Sequence, residues 1–260
     1  MNYFQAIFLG AIQGLTEFLP ISSSGHLVIF QNLFNLQPDL FFSVLVHVGT
    51  LGAVILFFKK KIIWLIGGFF RRDKEALSFS KLVIIGSLPI GVIGFLGEPL
   101  VRVVFGSLKI VFFSFLVTAG LLFLTKLKKE KGLRKLNTKN SFIIGLWQGL
   151  AVLPGISRSG ATITAGLRQG IKMSEAFEFS FLLSLPAILG ALALEITRLS
   201  HFSIEAFFGG FLGMIVSGVT GYLALGLLRK TLLAKKLWLF GVYCLLAALV
   251  IFFLELYPAC

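Results

Sequence analysis

Polar positions are rare along this chain, and their placement divides the hydrophobic pattern into two kinds of segment. Six apolar runs, roughly residues 39–58, 80–98, 108–126, 175–195, 205–228 and 236–256, are long enough to span a bilayer, which takes a helix of about 20 residues. None shows the in-out alternation of a membrane barrel strand, so each run predicts a helix. Two further segments, roughly 2–35 and 141–170, are apolar at both ends and broken in the middle by Pro, Gly and Ser. They predict helix, loop, helix. Irregular backbone at membrane depth is tolerated only when it is buried in protein or lines a wet cavity.

Composition turns this pattern into a fold class. With 57% hydrophobic and 13% charged residues among 260 and a mean hydropathy of +0.96, the chain reads as an all-α polytopic membrane protein, not a soluble domain. The net charge of +13 comes from basic residues that gather between the spans. Lys59, Lys60, Lys61, Arg71, Arg72, Lys74 and Lys81 form one loop in this reading, Lys126 to Lys139 a second, and Arg229 to Lys236 a third. The positive-inside rule places all three in the cytoplasm and the loops near 97–108 and 196–204 outside. The first broken segment then enters from outside and the second from the cytoplasm, each returning to its own side and meeting the other near the midplane. The positive charge is thus a topology signal with some attraction for anionic membrane lipid. Nucleic acid is not an expected partner, because no aromatic-interleaved basic patch lies outside these loops. The N-terminal "MNYFQAIFLGAIQG" lacks a basic leader and a cleavage site and reads as mature protein. Cys244 and Cys260 have neither metal-ligand spacing nor a disulfide framework.

The two broken segments are copies of one another. "QGLTEFLPISSSGH", Gln13 to His26, aligns without gaps to "QGLAVLPGISRSGA", Gln148 to Ala161, with seven identities in fourteen positions. Further on, "FSVLVH" from Phe42 weakly parallels "FSFLLS" from Phe179. The expected organisation is one membrane domain over residues 1–260. It comprises repeat 1 (about 1–126), a basic cytoplasmic loop (about 127–140) and repeat 2 (about 141–260). One broken segment and three spans per repeat would invert the second copy, giving about six transmembrane helices and two re-entrant helix-loop-helix segments in inverted-topology repeats. Such repeats are also the signature of many secondary transporters, so a transporter or lipid flippase stands as the alternative function.

Where the copies differ, chemistry enters. Glu17 faces Val152, Ser23 faces Arg158 and His26 faces Ala161, so the first copy supplies an acid, a hydroxyl and an imidazole, and the second a cation. Each Ser-Gly stretch has the form of an N-cap before a helix, whose free N–H groups and positive dipole end attract anions. Two such ends flanking Arg158 would bind phosphate. Ser23, His26 and Glu17 then read as nucleophile, proton-transfer group and tuning acid, with Gln13 one turn before Glu17. The plainer alternatives remain open: serines that only cap or back-bond, a structural Glu17–Arg158 ion pair, and a packing role for His26. His47 has no acid near it in sequence and reads as a polar group hydrogen-bonded between helices. His201 reads as loop, and Glu175 and Glu178 as acids favoured at a helix start.

"QGLTEFLPISSSGH" and "LPGISRSGAT" closely resemble the two signature motifs of the bacterial undecaprenyl-diphosphate phosphatases of bacitracin resistance. The resemblance runs along the full chain. It implies hydrolysis of undecaprenyl diphosphate to the monophosphate, recycling the lipid carrier of peptidoglycan synthesis, at a site opening to the outer face of the bacterial inner membrane. By the same resemblance Glu17, Ser23, His26 and Arg158 are catalytic residues, with His26 as the rival nucleophile to Ser23. Ser22, Ser24, Gly25, Ser157, Ser159, Gly160 and Thr162 form the phosphate-binding set. Gln13 stands where the family often has the first Glu of an acidic pair, and Ser24 where it often has Thr. Gln13 can support a metal or polar ligand but brings no second negative charge. The resemblance therefore implies no tightly bound cofactor, and leaves open a divalent cation, Mg²⁺ or Ca²⁺, arriving with the diphosphate. It leaves monomer and homodimer equally open. The acid phosphatase-like phosphatidate phosphatases share Ser-Gly-His and Ser-Arg motifs but need His where this chain has Thr164.

Overall fold

The computed structural model describes residues 1–37, 39–104, 106–126, 134–197 and 204–256, and all regular structure among them is α-helical. His201, Cys260 and residues 127–133 of the expected basic loop lie outside the described residues. The first broken segment is α1 (Tyr3–Phe18) and α2 (Ser23–Leu33). A capping box between Asn2 and Gln5 starts α1, and the chain leaves the helix at Leu19 and Pro20. The second is α7 (Thr138–Leu150) and α8 (Arg158–Arg168), started by Asn137, which accepts from the Asn140 backbone N–H.

The long apolar runs become α3 (Leu40–Phe57), α5 (Lys74–Val104), α6 (Leu108–Phe123), α9 (Met173–Ile196), α10 (Ile204–Leu233) and α11 (Trp238–Leu256). Within them Leu40–Phe57, Lys74–Gly97, Met173–Ile196 and Ala206–Leu233 are long and apolar enough to cross a membrane, while Leu108–Phe123 and Trp238–Phe253 are shorter apolar helices. The chain is a polytopic membrane protein.

One expectation is corrected. The first basic loop is in fact α4 (Lys59–Arg71), and Lys74 and Lys81 lie in α5. Ile63, Ile66, Phe69 and Phe70 are exposed along α4, and its Lys61 pairs with Glu178 of α9 at 2.8 Å. Apolar groups recurring every three to four residues behind a basic start make an amphipathic helix suited to a membrane surface. The cluster of charges hid that period. Arg72 then takes a left-handed conformation (φ 55°) and Asp73 caps α5 through the Ala76 N–H.

The broken segments do not pack mainly on neighbours in sequence. The α1 helix packs along α10, which also packs along α3, and α7 packs along α5; α6 packs along α11. Glycine makes both of the first contacts possible. A Cβ on Gly10 would lie 2.6 Å from the Gly213 carbonyl oxygen of α10, and Gly145 meets Gly86 of α5 in the same way. Gly10 and Gly145 are separated by the same interval as Gln13 and Gln148. The largest core cluster gathers around the end of α1, where Phe18, Leu19 and Ile21 meet Phe181 of α9 and Leu225 and Leu228 of α10.

Candidate active site

The two breaks face each other, and each is built around a serine cap. Ser22 caps α2 by accepting from the Gly25 N–H (3.4 Å), and Ser157 caps α8 by accepting from the Gly160 N–H (3.1 Å). Ser23 and Arg158 are therefore the first residues of corresponding helices, beside N–H groups that have no acceptor in their own helix. Ser22 sits at φ 68°, ψ 106°, a region that is costly for a side-chain-bearing residue. It is held there by its own cap bond and by the His26 ring Nδ1–H, which donates to its carbonyl at 2.7 Å. Across the gap the Gly155 N–H donates to the Ser24 hydroxyl (3.4 Å). Thr118 of α6 ties the second break down, donating to the Gly155 carbonyl and accepting from the Ser157 N–H, each at 3.1 Å. Gly155 has φ 95°, and a Cβ there would lie 2.6 Å from that of Ser114.

Glu17 joins the halves. Arg158 Nη2 donates to its Oε1 at 2.5 Å, the Ser23 hydroxyl to its Oε2 at 2.5 Å, and Gln13 Nε2 to the same Oε2 at 3.1 Å. The side chains of Arg158 and Glu17 are only 15% and 8% exposed. A carboxylate fixed by an arginine and bonded to a hydroxyl is placed to take that hydroxyl's proton as it attacks an electrophile. The guanidinium beside it offers further N–H groups to phosphate oxygens.

These groups lie in a cavity of about 510 Å³. Glu17, Ser22, Ser23, Ser24, Ser157 and Arg158 line it, together with the apolar Ile90 and Phe95 of α5 and Ile188 and Leu194 of α9. Pro89 lies within α5 and Pro186, itself a lining residue, within α9. Polar groups that include a guanidinium and two helix N-termini, beside apolar walls, suit an amphiphile with an anionic head.

The remaining sequence candidates stand behind this surface. His26 is 4% exposed, with Nε2 2.7 Å from the Tyr243 hydroxyl and its ring stacked on that of Tyr243. With Nδ1 on the Ser22 carbonyl, both ring nitrogens are engaged. Gly25 backs onto Phe115 and Gly155, Ser159 pairs with Ser157 (3.3 Å), and Gly160 packs beside Pro20. The Thr162 hydroxyl back-bonds to the Arg158 carbonyl (2.9 Å) and meets Ser180 at 2.6 Å. Ser159 points about 100° away from Arg158, whereas Thr162 shares the face of Arg158 one turn further into α8, where its hydroxyl is engaged with Ser180.

Two lining residues escaped the sequence reading. Gln148 is fully buried, and both atoms of its carboxamide lack a protein partner, as does the Oε1 of its twin Gln13. Pairing of the two glutamines in the repeat was the available signal. His47 also lines the cavity, within electrostatic range of Glu17, contrary to the reading of a histidine without a nearby acid. The acid lies on another helix, which a linear pattern cannot show. No group of three His, Cys, Asp or Glu side chains suited to a metal occurs among the described residues.

The family model of the bacitracin resistance protein BacA matches residues 6–250. A protein of Thermosipho africanus named undecaprenyl-diphosphatase is 42% identical over 248 residues, covering 95% of this chain and 98% of its own. Proteins of the same name from Methanococcus vannielii (41% identity, 95% and 98% coverage) and Halothermothrix orenii (41%, 98% and 98%) match comparably.

Proposed function

The chain belongs to the bacitracin resistance protein BacA family, and from that membership together with the site geometry we propose that it is an undecaprenyl-diphosphatase. It hydrolyses undecaprenyl diphosphate to the monophosphate and inorganic phosphate, recycling the cell-wall lipid carrier and thereby conferring bacitracin resistance. The observation that carries the chemistry is the Glu17 carboxylate, bonded on one side to the Ser23 hydroxyl and on the other to Arg158.

In this reading the diphosphate lies against the α2 and α8 N-termini and Arg158, with Ser24, Ser157 and the unpartnered Gln148 amide around it. The prenyl tail runs along α5 and α9 toward lipid. Ser23 Oγ attacks the terminal phosphorus and passes its proton to Glu17; the bond from that phosphorus to the bridging oxygen breaks, releasing the monophosphate and leaving a serine phosphoester. Water then cleaves the ester to phosphate and free serine. Protein chemistry in such a transfer is mostly positioning and charge stabilisation, which the helix ends and Arg158 provide. His26 fixes the α2 cap through the Ser22 carbonyl. A divalent cation, where used, arrives with the diphosphate. The cavity borders the C-terminal halves of α5 and α9, opposite the ends bearing Lys74, Lys81 and Lys172. By the positive-inside rule it opens on the outer face of the inner membrane. Surrounding lipid is its second partner, and the mass of the purified particle decides between monomer and homodimer.

The test is phosphate release from undecaprenyl diphosphate in detergent by wild type, Ser23→Ala and Arg158→Ala, with and without chelator. Each substitution is expected to lower kcat by at least about a hundredfold. A phosphoryl group trapped in wild type should be acid-stable, as on serine. An active Ser23→Ala with acid-labile phosphate on His26 would transfer the nucleophile to His26. A wild type that releases no phosphate but moves prenyl lipid between leaflets would favour a flippase.

A further inference from the structure

Three facts single out His47. It is the one histidine on the cavity wall among the described residues, carried there by α3. Its Nδ1 lies 2.8 Å from the Ser43 carbonyl oxygen, an acceptor, so Nδ1 carries the proton and Nε2 presents its lone pair. Its counterpart in the weak second-half match is Ser184, which donates to the Phe181 carbonyl (2.7 Å). His47 thus joins Glu17 and Ser23 as chemistry found in the first half alone. His26, by contrast, has both nitrogens committed to Ser22 and Tyr243.

We propose that His47 is the general base for the second half of the reaction, activating the water that cleaves the serine phosphoester. The proposal rests on the hydrolase reading above. After the first transfer Glu17 holds the proton from Ser23 and is spent as a base, so hydrolysis needs another acceptor. Water gives one proton to His47 Nε2 as its oxygen bonds to phosphorus. The bond between phosphorus and Ser23 Oγ breaks, and Glu17 returns its proton to that oxygen. Hydrogen phosphate leaves, and the imidazolium releases its proton to solvent, restoring the starting state. Among the described residues, the charged side chains that line the cavity with His47 are Glu17 from α1 and Arg158 from α8. From α9, Ile188 and Leu192 pack beside Val44, and from α10 Ser217 bonds to the Val46 carbonyl. Lys61 of α4 is engaged with Glu178.

The test is His47→Gln, similar in size and without a titratable nitrogen, in the purified full chain. Steady-state kcat is expected to fall about a hundredfold, while the first turnover still yields one equivalent of undecaprenyl monophosphate as a burst, with acid-stable phosphate retained on Ser23. The acid limb of the wild-type kcat profile, where a base is lost by protonation, should disappear. A kcat within about twofold of wild type with that limb intact, or loss of activity without a burst, would overturn the proposal. Ser23→Ala run in parallel separates the claims: if it is inactive and His47→Gln unaffected, only the role of His47 fails; if both retain activity, the serine mechanism fails too. A measurement on wild type avoids any folding defect. Diethyl pyrocarbonate should modify His47 before His26 and inactivate in proportion, with protection by a methylene-bridged prenyl bisphosphonate. Inactivation that tracks His26 instead would reject it.

Discussion

Glu17 illustrates how one buried carboxylate serves both architecture and chemistry. It receives Arg158 from the other half of the chain while holding the Ser23 hydroxyl. Removing one partner leaves the other as an uncompensated buried charge, so Glu17→Ala should cost about 3–5 kcal/mol in thermal or denaturant unfolding in detergent, in addition to abolishing turnover. Arg158→Lys restores charge but not the planar fork. Its kcat should stay at least about tenfold below wild type, with a melting temperature above that of Arg158→Ala, as differential scanning fluorimetry would register. Tyr243→Phe removes the hydroxyl at His26 Nε2. If His26 holds the loop and does no bond-making, the cost is about 1 kcal/mol of stability with kcat nearly unchanged. A large fall in kcat at unchanged stability would put His26 back among the reacting groups.

Among the helices, function depends on where each one starts. The caps at Ser22 and Ser157 set the phase that brings Ser23 and Arg158 to the cavity and turns Ser159 from it. Ser157→Ala should cost about 1 kcal/mol and, by freeing the first turn of α8, lower kcat more than that loss of stability suggests. The close crossings hold α1 against α10 and α7 against α5. Gly145→Leu would drive a side chain into the Gly86 backbone, separating α7 from α5. The expected result is loss of monodisperse protein on size exclusion, whereas Gly52→Leu, at a position with open space around its Cβ, should be tolerated.

For the whole molecule, the decisive feature is a cavity that joins the polar groups of the two breaks to apolar side chains of α5 and α9. Gly94 lines it, and a Cβ there would meet no atom. Gly94→Trp should therefore fold normally and obstruct the tail path. KM for undecaprenyl diphosphate is expected to rise about tenfold, equivalent to about 1.4 kcal/mol of tail contact, with little change for a short prenyl diphosphate. Equal effects on both substrates would place the tail elsewhere.

Much of this arrangement was legible from sequence, for reasons that differ by feature. Length and continuity of the apolar runs dictated the order of helices. Proline and the Ser-Gly stretches located the breaks, because the backbone cannot continue a helix through them unaided. The repeat brought Glu17 and Arg158 forward as partners, because ions among apolar residues need one another. Tertiary structure alone decided which side of each helix is which. In a membrane protein the lipid-facing and core-facing sides are both apolar, so periodicity gives little indication of direction. That is why His26 lies behind the caps, why His47 on α3 reaches the acid of α1, and why Gln148 lines the cavity. These placements depend on helix phase and crossing, which arise only when the two halves pack together.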